Sequence, residues 1–359
     1  MKILIATGIY PPDIGGPATW ARYFVEEFTA RGHSVTVLTY SDRLPQGSGA
    51  WAVHRVLRRS PSGARHLRYF LKAFSLMRKA DITLLGDTIS AGVPVWAASF
   101  FVRRPYVLKI GGDWVWEQAF QRWGVKDFLD EFLQKRYSAK IEFFRWLQSR
   151  VARKSRAVLA PSNYLKTVAA KWGMPPGNIY TIYNNIHAPK VLPSREEARL
   201  KLGLDLQGAV LLSFSRPVPW KNEELFRGML SRIERRFPGV VLKSGSIPRG
   251  NVPLWLLAAD IYLLNTAYEG FSHQLLEAMA AGTAIITTPA GGNSEVVEEG
   301  KNALLVPYND ESAWEAAIIR LLEDPGLRKK LGDEAKKSAE KFMYIDTVGK
   351  TLKVLETVV

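Results

Sequence analysis

Two glutamates, Glu269 and Glu277, stand eight positions apart in YEGFSHQLLEAMAAGTAIITTPAGG (268–292). Glu269 and Gly270 lie on a loop after the apolar run DIYLLN. Ser272 is placed to cap a helix over 273–281, with Glu277 about one turn inside it. A carboxylate only accepts hydrogen bonds, and a helix start attracts anions. Two carboxylates flanking such a start suit a ligand that carries hydroxyls beside phosphates, as ribose and hexose phosphates do. A second loop, SFSRPVPWKN (213–222), offers Arg216 and Lys221, an arginine fork and a mobile ammonium able to neutralise a departing diphosphate. A third, YPPDIGGPATW (10–20), opens a helix with Gly15 and Gly16, whose bare backbone lets an anionic group approach closely. Each reading has a plain counterpart: a surface helix glutamate, two solvated loop cations, a tight turn.

All three loops follow strands, and the rest of the chain explains why that matters. Short apolar runs closed by Gly or Pro alternate with amphipathic stretches. In the first half the runs are 2–7, 34–40, 51–56, 82–86, 106–110 and 157–162. In the second they are 209–215, 239–245, 260–265, 284–289 and 303–307. That alternation predicts two α/β domains built on mainly parallel sheets covered on both faces. We expect an N-terminal domain over 1–186, a linker over 187–194 rich in Asn and Pro, and a second domain over 195–340. A helix over 341–359 is expected to return towards the first domain. Ligands of such sheets bind past the carboxyl ends of the strands, and with two sheets the expected place is a cleft between them.

Composition narrows the classes. The 359 residues include no cysteine, which excludes a disulfide framework, a thiol nucleophile and Cys-ligated metal. The five histidines are scattered and no metal site is expected. No apolar stretch reaches the ~20 residues of a membrane span, so a cytoplasmic protein, at most peripheral to a membrane, is expected. The net charge of +15 is lopsided: residues 1–190 hold 28 Lys and Arg against 12 Asp and Glu, and the remainder is nearly neutral. A basic half suggests an anionic partner or simply a solvated basic face. No nucleic-acid-binding module accompanies the charge, so nucleic acid is not expected as a partner.

The three loops, in this order and spacing, resemble the family 4 glycosyltransferases, retaining enzymes with two Rossmann-like domains in the GT-B arrangement. The likeness runs from MKILIATGIYPPDIGGPATW through AVLAPSNYLKTVAAKWGMPPGNIYTIYNN and SRPVPWKN. It is strongest in EGFSHQLLEAMAAGTAIITTPAGGNSEVVEEGKNALLV. The resemblance implies a hexosyltransferase using a UDP- or GDP-sugar as donor, with no cofactor. Gly16 would approach the donor, Arg216 and Lys221 would hold the diphosphate, and Glu269 would face the transferred sugar. The backbone at Gly270, Phe271, Ser272 and His273 would cap the phosphate, and Glu277 would bind the ribose. Two departures stand out. Where the family carries a histidine, this chain reads VLKIGGDWVWEQ, offering Asp113, and after it Glu117, to orient sugar or acceptor; the alternative for Asp113 is a helix cap. Only 48 positions separate Lys221 from Glu269, fewer than the family has, in the region that helps hold the base.

The basic half is where the resemblance places the acceptor. ARHLRYFLKAFSLMRKA (64–80) aligns Leu67, Phe70, Leu71, Phe74 and Met77 on one helix face, with Arg65, Arg68 and Lys72 around it. Such a helix suits an anionic membrane surface and a glycan or lipid-diphosphate-linked acceptor, or packs on its own sheet. The alternative to an enzyme is a non-catalytic nucleotide- or glycan-binding member of the same fold.

Overall fold

The computed structural model describes residues 1–42, 51–186 and 193–359. The expected linker, 187–194, therefore lies outside the described residues except for Pro193 and Ser194. The chain forms two compact units, Met1–Tyr183 with Asp346–Val359, and Asn184–Ile345.

The first unit runs β1 (Lys2–Thr7), α1 (Gly16–Ala30), β2 (Ser34–Ser41), β3 (Ala52–Leu57), α2 (Ser62–Met77), β4 (Ile82–Leu85) and α3 (Gly92–Val102). It continues with β5 (Tyr106–Lys109), α4 (Trp114–Arg122), α5 (Leu129–Phe132), α6 (Ala139–Lys154), β6 (Ala157–Ala160), α7 (Asn163–Lys171) and β7 (Ile179–Thr181). Its seven strands lie in the order β3-β2-β1-β4-β5-β6-β7, every pairing parallel. Parallel strands inside the sheet bury both faces, which is why ITLL of β4 and AVLA of β6 are apolar throughout, whereas the edge strand β3 carries His54 and Arg55. On α1, Trp20, Phe24 and Phe28 stack edge to face at 5.6 and 5.2 Å and drive Phe24 and Phe28 into the core.

The second unit runs α8 (Arg195–Leu202), β8 (Val210–Ser213), α9 (Glu224–Arg236), β9 (Val241–Ser244), α10 (Val252–Ala258), β10 (Ile261–Leu264) and α11 (His273–Ala281). Then follow β11 (Ala284–Thr287), β12 (Leu304–Leu305), α12 (Glu311–Glu323) and α13 (Pro325–Met343). Its five strands are ordered β12-β11-β10-β8-β9 and again all parallel. The last helix, α14 (Thr347–Val358), belongs to the first unit, where Val348, Leu352 and Leu355 join the core. Its start is fixed twice: Asp346 caps it at Gly349 N (2.8 Å) and pairs with Arg31 Nη2 (2.9 Å) beyond α1. Residues 341–345 stay with the second unit because α13 runs on to Met343.

Strand order decides where a ligand can sit. In the first unit the chain moves outward from β1 to β2 and β3, then crosses to β4 on the other side of β1. In the second it moves from β8 to β9, then crosses to β10 on the other side of β8. Each reversal leaves two loops diverging past the carboxyl ends of adjacent strands, and a crevice between them. Among the described residues no helix is long and apolar enough to cross a membrane.

Candidate functional site

In the second unit the loops after β8 and β10 flank the switch point, and they carry the predicted cations and the first predicted glutamate. Lys221 and Thr266 form an isolated bridge, Asn222 N donates to Asn265 O (3.2 Å) and Ala267 N donates to Trp220 O (2.9 Å). This backbone zipper sets Lys221 Nζ 2.6 Å from Glu269 Oε1, with the side chains only 9% and 12% exposed. The ammonium also lies 3.5 Å from Gln274 Oε1, and Gln274 Nε2 donates to Phe214 O (3.0 Å), tying α11 to the end of β8. Arg216, on the same loop, is exposed and makes no ion pair among the described residues.

Ser272 caps α11 as expected from its type, accepting from Leu275 N (3.3 Å). His273 opens the helix and is exposed, while Phe271 is buried against Phe342 at 5.6 Å. Gly270 is held from behind by the second glycine pair. Gly292 N donates to Glu269 O (2.8 Å), and a Cβ on Gly292 would stand 2.2 Å from Gly270 O. Only glycine lets the two loops approach this closely. Burial pushes the Glu277 carboxyl above the usual range, with Arg249 pulling it back. Sequence reasoning did not single out Arg249 or Tyr262. The Tyr262 hydroxyl is buried without a hydrogen-bond partner, and burial raises its pKa well above normal, reinforced by Glu269, Glu277 and Glu223. No spacing rule flags a tyrosine inside an apolar strand.

In the first unit, Gly15 precedes α1 with φ 153°, a region that favours glycine, and Gly16 faces open space. Asp113 stands at a helix start, the alternative given for it above. It is 1% exposed and caps α4, one oxygen accepting from Trp116 N (3.0 Å) and the other from Trp172 Nε1 (2.9 Å). Burial raises its pKa, and both oxygens are engaged inside the unit, so the geometry is that of the cap. Glu117 occupies the first turn of the same helix.

The apolar stripe expected on α2 splits. Tyr69, Ala73 and Met77 pack inward, whereas Leu67 and Leu71 are 58% and 55% exposed. Tyr69 was the missed anchor, its hydroxyl donating to Leu38 O (3.0 Å), which rotates the stripe outward. Phe101 of α3, 71% exposed, lies 6.1 Å from Phe70, and Lys154 of α6 sits 5.0 Å over Phe100. Arg68, bonded to Ser60 Oγ (2.8 Å), and Lys72 are exposed around this face.

A cavity of about 480 Å³ in the second unit is unrelated to these loops. It lies at the amino ends of β8 and β10, where buried Arg199 pairs with Asp260 (2.7 Å) and donates to the carbonyls of Ala258, Asp205, Leu206 and Gly208. These bonds hold α8 on the sheet.

Known proteins match both units. Residues 14–188 match the model for Glycosyltransferase Family 4, and residues 238–338 that for Glycosyl transferases group 1. Arg216 and Lys221 fall between the matched segments. A D-inositol 3-phosphate glycosyltransferase of Corynebacterium urealyticum is 37% identical over 90 residues, 25% of this chain and 21% of that protein. The chain thus covers about a fifth of the length of that relative. An uncharacterized glycosyltransferase of Methanocaldococcus jannaschii is 26% identical over 99% of this chain and 97% of its own. Among solved structures, Anabaena HepE in complex with UDP superposes with a TM-score of 0.74 at 19% identity, covering all of both chains. WaaG, a glycosyltransferase involved in lipopolysaccharide biosynthesis, gives 0.70 at 16% identity over 99% of each. With two parallel-sheet units, a GT-B likeness over its whole length and both family models matched, the chain belongs to the family 4, group 1 glycosyltransferases.

Proposed function

We propose that the chain moves a hexosyl group from a nucleotide-diphosphate sugar to a glycan or lipid-linked acceptor with retention of anomeric configuration. The observation that carries this reading is the switch-point assembly of the second unit. It gathers Lys221 and Glu269 on two diverging loops beside the capped start of α11, with Glu277 about one turn inside that helix. In the reaction the bond between the anomeric carbon and phosphate oxygen breaks as a bond to the acceptor oxygen forms. The acceptor proton passes to the departing diphosphate. Lys221 and Arg216 offset the charge growing on that diphosphate, and the helix start adds its partial positive charge. Glu269 and Glu277 accept hydroxyls of the sugar and the ribose. HepE in complex with UDP and with UDP-glucose favours a uridine donor. Thermal shifts against UDP, GDP and ADP, each with and without its sugar, test the reading. Stabilisation by one base, with turnover of its sugar, is expected; no shift by any would sink it.

The exposed Leu67, Leu71 and Phe101, ringed by Arg68 and Lys72, support docking of the first unit on an anionic membrane surface. That fits a peripheral protein of the inner face of the cell membrane. Vesicle sedimentation checks this: wild type binds anionic vesicles, and a Leu67→Ser, Leu71→Ser variant does not. Absence of wild-type binding ends the idea.

A further inference from the structure

The cavity of about 480 Å³ at the amino ends of β8 and β10 lies at the opposite end of the second unit's sheet from Lys221 and Glu269, which follow the carboxyl ends. Its volume falls within the ~300–1,000 Å³ of ligand pockets. Three guanidiniums, Arg195, Arg199 and Arg328, line it around one buried carboxylate, Asp260. Leu206, Phe237 and Leu322 supply an apolar wall. None of these residues is on a loop expected to meet donor or acceptor.

Asp260 does not satisfy all three arginines. Its Oδ2 accepts from Arg199 Nη2 (2.7 Å) and Val210 N (2.7 Å), and its Oδ1 accepts from Arg195 Nη2. Arg328 Nη2 stands 3.9 Å from Oδ1, beyond hydrogen-bond reach. What remains free differs among the three. Arg199, 1% exposed, is used up, since Nε, Nη1 and Nη2 all donate within the unit. Arg328 Nη1 donates to Leu321 O (2.6 Å) and Leu322 O (3.1 Å), which fixes the fork, but Nη2 makes no hydrogen bond among the described residues. Arg195 donates through Nη2 alone, which leaves Nε and Nη1. The Arg195 and Arg328 side chains are 50% and 20% exposed, so a ligand can reach both. Three cations around one buried anion leave a surplus of two positive charges. Glu196, on the exposed rim, forms no ion pair with them among the described residues, and water weakens its pull. Burial, and after it repulsion from Arg195, lowers the Arg199 pKa. A carboxylate would offset one charge of the surplus; a phosphomonoester, at about −1.5 to −2 near pH 7, offsets nearly both.

We propose that this cavity is a second ligand site that takes a small phosphomonoester, with Arg195 and Arg328 on the phosphate and the wall of Leu206, Phe237 and Leu322 against the organic part. The site does not depend on the transferase reading. A phosphate bound there bridges the first residue of α8 to the first turns of α13, and so stabilises the second unit by mass action.

Calorimetry at constant ionic strength with phenyl phosphate, inorganic phosphate, benzoate and phenol, each in excess UDP, tests it. Phenyl phosphate should bind at least about tenfold more tightly than any of the other three, and should raise the melting temperature. Arg195→Ala leaves Asp260 bonded to Arg199 and Val210, so folding is preserved, and it should weaken phenyl phosphate about tenfold. Arg195→Lys, which keeps the charge without the fork, should lose less. Arg216→Ala, on the loop expected to meet the donor, should bind phenyl phosphate like wild type. No binding of phenyl phosphate, or binding unchanged in Arg195→Ala, overturns the proposal. Equally tight inorganic phosphate, marking an adventitious ion only, overturns it too, as does a loss confined to Arg216→Ala. Phenyl phosphate binding that Arg195→Ala weakens, in a protein that does not bind UDP, supports this site and removes the donor reading instead.

Discussion

Lys221 and Glu269, 48 positions apart in sequence, form an ion pair at 2.6 Å in which both side chains are largely shielded from water. Each of the two predicted donor-binding charges neutralises the other. Breaking a shielded pair by removing one partner leaves an uncompensated charge, which costs more than replacing both. Glu269→Gln and Lys221→Met should each lose about 2 kcal/mol in urea unfolding. The double variant should regain at least about half of that loss and remain without transferase turnover. Additive losses would show that the pair is not coupled.

Gly292 sets the position of the Glu269–Gly270 loop. In Gly292→Ala the new methyl meets Gly270 O at 2.2 Å and must push the loop away. We expect a loss of about 1–3 kcal/mol and a rise in the donor KM larger than any fall in kcat. An unchanged KM would show that this loop does not meet the donor.

Asp113 separates cap from catalyst. Asparagine can still accept from Trp116 N but turns its amide nitrogen on the Trp172 Nε1–H, so Asp113→Asn should cost about 1 kcal/mol and retain most activity, whereas Asp113→Ala should cost about 1–2 kcal/mol more through the lost cap. Abolished turnover in a stably folded Asp113→Asn would restore a catalytic role. Circular-dichroism melts beside a transferase assay decide it.

Lys109 on β5 is buried beneath Trp20 and Phe24, its Nζ 5.8 and 5.9 Å from the ring centres, and burial lowers its pKa to about 8. Between about pH 8 and its ordinary value near 10.5, the unfolded chain holds a proton that the folded chain has released. The folded state therefore gains stability as pH rises across that window and loses it as pH falls through about 8. The gain is at most on the order of 3 kcal/mol. Lys109→Met should flatten this rise in melting temperature and raise stability at pH 7. A slope shared by wild type and variant would assign it to other groups.

Much of the architecture could be read from local pattern. Continuous apolar runs such as KILIAT and DIYLLN report strands buried on both faces, and Ser272 reports a helix start, because burial and backbone satisfaction are imposed residue by residue. The loops at strand ends were legible for the same reason. Strand order was not. Periodicity does not say that β4 returns beside β1 or β10 beside β8, yet those crossings create the two crevices. Pairings across long separations follow only from that order: Lys221 with Glu269, and Asp113 with Trp172 Nε1, 59 residues on. Which part of the α2 stripe packs was not legible: Tyr69, amphipathic by type, found a carbonyl at Leu38 and went inward with Met77, while Leu67 and Leu71 stayed out. Residue types supplied the chemistry available to this protein. Which charges meet depends on long-range packing, since the cost of isolating a charge from water is set by its neighbours in space.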